Sequence, residues 1–125
     1  MLLDTHAFIW YVVAPARIRP GVRSQIDVAD VVFVSAASVW EIRTKFRLGK
    51  ILEAAPIAER LPAVIVEVGL EPLGVDVYDG DRAGAFTAAH RDPFDRMLAA
   101  QALNRDLVLV SNDTALDAFG VQRVW

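Results

Sequence analysis

The sequence predicts an α/β fold of three layers, with a mostly parallel central sheet of about five strands flanked by helices. Two observations carry the prediction. Short apolar, strand-like runs alternate with helical stretches from one end of the chain to the other. Strands separated by helices pair in parallel through right-handed crossovers. A chain of 125 residues, 54% hydrophobic and 23% charged, also buries roughly two-thirds of its unfolded surface, enough for a core without disulfides. With no repeat, low-complexity tract or linker, residues 1–125 are read as a single domain.

"MLLD" reads as a short apolar strand ending in an acid, and "THAFIWYVV" as the following helix, which runs to a turn region, "APARIRPG". A second helix spans Val22 to Ala29. "VVFVS" is a buried strand, and Ser35 or Ser38 can cap the next helix, "AASVWEIRTKFRL", which stops at Gly49. "PIAERLPAVIVEVG" is helical, kinked or broken at Pro62 and closed by Gly69. "LEPLGVDV" supplies a strand-like segment and "DGDRAGAFTAAH" a short helix. In "HRDPFDRMLAA", Asp92 can cap a helix that opens at Pro93 and runs to about Arg105, because Phe94, Met97 and Leu98 follow at helical spacing. "LVLVS" is the clearest strand, "NDTALDAFG" a turn and short helix ended by Gly120, and "VQRVW" a closing edge strand.

A net charge of -3 and a pI near 5.3 exclude a protein that holds nucleic acid through a broad positive field. A local contact stays open. Arg43, Arg47 and Lys50 fall at i, i+4, i+7, a stripe that either meets phosphates or is a solvated helix face. The opening residues lack a basic start, and the uncharged run from Thr5 to Ala16 is shorter than the ~20 residues of a membrane span. No membrane association is expected, and with no cysteine and no export signal the expected location is the cytoplasm.

The acids carry the chemistry. Asp4 ends the first strand, Glu41 is early in the helix after "VVFVS", Asp95 is in the first turn of its helix, and Asp113 lies just past "LVLVS". In a parallel sheet, strand ends and the starts of the following helices share one edge, where ligands bind. Four carboxylates from distant parts of the chain are therefore expected to converge on one rim. Asp113 could be a cap, Asp95 could favour its helix dipole, and Glu41 could pair with Lys45. Asp4 has no comparable local role, and a charge in an apolar strand needs a partner. Converging carboxylates repel, and a hard divalent cation, Mg²⁺ or Mn²⁺, resolves the repulsion. Zinc fits less well, because His6 and His90 are not in a ligand-pair spacing and read as structural or surface residues. A water-rich acidic metal site suits phosphodiester hydrolysis.

"LLDTHAFIW", "SAASVWEIRTKFRLGK", "HRDPFDRMLAAQAL" and "LVLVSND" resemble, in that order, the motif blocks of PIN-domain ribonucleases of the VapC toxin type. The resemblance covers essentially the whole chain. It implies a PIN-like fold and endonucleolytic RNA cleavage by a metal-activated water, leaving 5'-phosphate and 3'-hydroxyl ends. It makes Asp4, Glu41, Asp95 and Asp113 the acidic set for Mg²⁺ or Mn²⁺, with Asp4 and Asp95 as direct ligands. Glu41 and Asp113 then act through water or hold a second ion. Thr5, Ser38, Ser111 and Asn112 match small polar positions that support the acids. The resemblance further implies a homodimer and a cognate antitoxin that covers the acidic groove. Two rivals are a phosphoacceptor receiver-like signalling domain and a catalytically silent PIN-fold interaction domain. The receiver reading lacks its acid pair after the first strand, where Asp4 is followed by Thr5.

Overall fold

The computed structural model describes residues 1–125. Five strands, β1 (Leu2–Leu3), β2 (Phe33–Ser35), β3 (Glu71–Leu73), β4 (Leu109–Val110) and β5 (Arg123–Val124), form one sheet in the order β3-β2-β1-β4-β5. Every neighbouring pair is parallel. Six α-helices supply the crossovers: α1 (Thr5–Val13), α2 (Pro20–Val28), α3 (Ala36–Arg47), α4 (Leu61–Glu67), α5 (Val77–Ala85) and α6 (Pro93–Asn104). A 3₁₀ turn over Thr114–Phe119 joins β4 to β5. The chain leaves β1 toward β2 and β3, then returns to the other side of β1 for β4 and β5. Winding reverses between β1 and β4, and a crevice opens at the carboxyl ends of two strands where it does.

Alternation along the short strands builds two apolar layers. Leu3, Val34 and Val110 turn to one face and pack with Phe8, Ile9, Ile42, Leu61 and Ile65, from α1, α3 and α4. Leu2 and Leu109 turn to the other face against Leu98, Ala99 and Ala102 of α6 and Leu116 and Phe119 of the 3₁₀ turn. The small residues of α6 let that helix lie close to the sheet, and α5 packs on α6 as the outer element. Full burial of Leu98 and Leu109 makes truncation at either expensive, about 2–5 kcal/mol for leucine to alanine.

Several boundaries differ from the sequence reading. The chain turns through residues 55–59, and α4 begins at Leu61 with Pro62 in its first turn, where a proline costs no hydrogen bond. Gly69, at φ +78°, ends that helix in a conformation only glycine adopts freely. A 3₁₀ turn over Leu52–Ala54 is an additional element. The segment "DGDRAGAFTAAH" is helical only to Ala85, and residues 86–92 form an irregular loop. Helix α3 ends at Arg47, so Lys50 stands beyond it and does not continue the Arg43 and Arg47 stripe. No helix is long and apolar enough to cross a membrane.

Candidate active site

Asp4 follows the central strand and is only 7% exposed. Its backbone N–H donates to Val110 O at 3.0 Å, which extends the β1–β4 pairing up to the acid. The side chain then caps α1, with Oδ1 accepting from Ala7 N at 2.7 Å. This corrects the expectation that Asp4 has no local role: it interrupts the strand because it starts a helix. The cap uses part of the carboxylate's capacity. Burial pushes the Asp4 carboxyl up to about 6, against the opposing pull of the Ser111 hydroxyl and the Ala7 N–H. The cations nearby are engaged elsewhere, Lys45 with Glu41 and Arg123 with Asp117.

Helix α6 brings the second acid. Asp92 is its cap, its Oδ1 accepting from Phe94 N at 2.8 Å and Asp95 N at 3.1 Å. Asp95, thus fixed in the first turn, is raised by burial, and the His90 hydrogen bond opposes the shift. His90 Nε2 lies 2.7 Å from Asp95 Oδ2. Asp113 caps the 3₁₀ turn by accepting from Ala115 N at 2.9 Å, while its own N–H donates to Ser111 Oγ at 3.0 Å. Ligand atoms of His90, Asp95 and Asp113 all lie within 4.8 Å of one another. Opposite ligands of a cation with bonds of about 2.1 Å stand about 4.2 Å apart. The trio is therefore of a size that one ion spans after small side-chain movements.

Glu41 enters from α3, 4% exposed and held on both sides. The Thr5 hydroxyl donates to one carboxylate oxygen and Lys45 Nζ to the other. Thr5 Oγ1 is also 3.0 Å from Ser38 Oγ. Asp4, Glu41, Asp95 and Asp113 line one cleft of about 430 Å³, together with Thr5 and Asn112. Lys45, His6 and Asp92 complete a wall without a hydrophobic residue.

The sequence-derived acids thus share one cleft, where Asp95 is near enough to Asp4 to oppose its charge and also groups closely with Asp113 and His90. Ser38 and Ser111 are fully buried behind the wall. Arg43 and Arg47 face a separate groove with Phe46 and Glu59, and Arg43 spends one N–H on Ala58 O at 3.2 Å. The histidines depart furthest from the sequence reading. His6 lines the cleft and His90 touches Asp95. The available signal for His90 was its place just before the Asp92 cap, where a bend can return it to the helix start.

The donor set, carboxylate oxygens with one imidazole, fits a hard divalent cation. The buried Asp4 carboxyl, pushed upward with no Lys or Arg of its own, fits the same ion. The sequence model of the PIN domain matches residues 1–121. The chain belongs to the PIN domain family. This PIN domain is 42% identical to Ribonuclease VapC16 of Mycobacterium tuberculosis over 50 residues, which is 40% of this chain and 36% of that protein. The fold recurs in the crystal structure of DNA-bound VapBC from Salmonella typhimurium, with a TM-score of 0.70 and 22% identity over 98% of this chain and 95% of that one. It recurs in FitAcB from Neisseria gonorrhoeae, with a TM-score of 0.65 and 23% identity over 99% and 96% of the two chains. A toxin-antitoxin complex from Klebsiella pneumoniae aligns with a TM-score of 0.68 and 14% identity over 99% of the PIN domain and 95% of that chain.

Proposed function

We propose that residues 1–125 form one nuclease domain, a Mg²⁺- or Mn²⁺-dependent endoribonuclease that acts as the toxin of a toxin-antitoxin pair. The observation that carries this reading is the meeting of Asp4, Glu41, Asp95 and Asp113 in one polar cleft where the winding of a parallel sheet reverses. Asp4, Asp95 and Asp113 would hold the cation, with Glu41 acting through water or a second ion. When bound, such an ion neutralises phosphate oxygens and lowers the pKa of water to make a nucleophile at neutral pH, giving 5'-phosphate and 3'-hydroxyl ends.

The remaining residues orient and support. Thr5 and Lys45 hold Glu41 by both carboxylate oxygens, and the Ser111 hydroxyl fixes the backbone that carries Asp113. Asn112 offers an amide to the substrate side of the cleft. Lys45 places a positive charge on an otherwise acidic wall, where an RNA phosphate enters. Arg43 and Arg47 point away from Lys45 into a separate groove of α3, so any phosphate they hold lies apart from the cleft. A cognate antitoxin, a homodimer and a cytoplasmic setting belong to the same reading, and the antitoxin has support in the toxin-antitoxin complex from Klebsiella pneumoniae, whose fold the chain shares.

Incubation of the purified chain with RNA, with and without Mg²⁺, tests the activity. Asp95→Asn and Asp113→Asn should each lose more than about a hundredfold in cleavage rate, since even residues that only support metal ligands cost 10–100-fold. Cleavage by Asp95→Asn at the parent rate would refute the site. Growth arrest on expression, relieved by the product of an adjacent small gene, would identify the antitoxin.

A further inference from the structure

His90 lies on the irregular segment between α5 and α6, yet its position is fixed from two directions. The Arg96 guanidinium gathers carbonyls from the last turn of α5 and from that segment: Nε donates to Ala83 O at 3.0 Å, Nη2 to Phe86 O at 2.6 Å, and Nη1 to Ala88 O at 3.2 Å and His90 O at 3.0 Å. The ring itself stands edge-on to Phe119 of the 3₁₀ turn, with centroids 5.6 Å apart and planes at 87°. A surface histidine would need neither restraint. These contacts direct Nε2 onto Asp95 Oδ2, inside the group that Asp113 completes.

Resting on the metal-dependent reading above, we infer that His90 is a nitrogen ligand of the cation, and that the site therefore prefers Mn²⁺ to Mg²⁺. Mg²⁺ holds oxygen donors and water and gains little from imidazole, whereas Mn²⁺, a transition ion that also takes carboxylate and water, bonds an imidazole nitrogen more readily. A pure carboxylate cleft discriminates weakly between the two ions. One imidazole among Asp95 and Asp113 shifts the balance toward the softer one. The alternative role, a hydrogen bond that only orients Asp95, gives no such preference and no bond from nitrogen to metal.

The two histidines of the chain make the test specific. Mn²⁺ is added to the purified protein and to its His90→Gln and His6→Gln variants, and electron spin echo modulation reads any ¹⁴N coupling to the ion. The coupling should be present in the parent and in His6→Gln and absent in His90→Gln. Calorimetric titrations should show Mn²⁺ binding weakened about 10–100-fold in His90→Gln, with a smaller change for Mg²⁺. Parent protein that binds Mn²⁺ without nitrogen coupling, or coupling that survives in His90→Gln, overturns the inference while leaving a metal-dependent nuclease intact. Failure of the parent to bind either ion overturns both. A circular dichroism melt confirms that His90→Gln is folded, and His90→Asn provides a second variant if the glutamine disturbs packing on Phe119.

Discussion

At the scale of single residues, the cleft is built at a cost to stability. Asp4 has a folded-state value of about 6 against 3.8 for the free side chain, so between these values the folded protein binds more protons than the unfolded one. Stability of the metal-free protein therefore falls as pH rises from about 4 to about 6, by up to about 3 kcal/mol for this group. Asp4→Asn keeps an oxygen for the Ala7 N–H and removes the charge. Urea unfolding without metal should show the variant more stable than the parent at pH 7, with the advantage shrinking toward pH 4. Parallel pH profiles would contradict the burial argument. The sequence displayed Asp4 as a charge at the end of an apolar run, and that anomaly was legible. Its second task as the α1 cap was not, because strand and helix meet with no intervening loop. His90 was hidden for another reason: its bond to Asp95 depends on a bend set by Arg96, which no periodicity reports.

Between elements, one buried acid ties α5 to α6. Asp79 belongs to a capping box, with its Oδ2 accepting from Asp76 N and its own N–H donating to Asp76 Oδ1. The same carboxylate takes Arg105 Nη1 at 2.7 Å and Asn104 Nδ2 at 2.9 Å, from the far end of α6. Burial pushes its carboxyl up, and the Arg105, Asp76 and Asn104 bonds together outweigh that effect and hold it down at about 2. The group therefore contributes about 2 kcal/mol above pH 4 that is lost as pH falls toward 2. Asp79→Ala should lower unfolding free energy at pH 7 by roughly 2–4 kcal/mol and flatten the acid limb of the stability curve. Equal acid limbs in variant and parent would reject the assignment. The helices themselves were legible from spacing, caps and glycines. Their lengths were less so, as α5 shows by stopping at Ala85, whereas α3 ends at the Gly49 turn that the sequence marks, which leaves Lys50 outside the basic stripe.

Over the whole molecule, the parallel sheet and its flanking helices followed from alternation of apolar runs and helical stretches, and the convergence of the acids on one edge followed from that topology. The place of His90 beside Asp95 and Asp113 did not, because it depends on the loop over 86–92. A cation held by the folded cleft alone should raise stability by RT ln(1 + [L]/Kd), about 2.7 kcal/mol at a hundredfold excess over Kd. The thermal midpoint should therefore rise with added Mn²⁺ or Mg²⁺, and less so in Asp113→Asn. An unchanged midpoint at millimolar metal would argue against a preformed site. The central place of β1 has a further consequence for the order of events in time. That strand is synthesised well before β4, and its two neighbours come from opposite halves of the sequence. Asp4 cannot meet Asp113 until β4 has been synthesised and has docked, and closing so long a loop delays that step. Until then the chain carries these acids as separate, solvated charges, and the chemistry of the cleft is withheld.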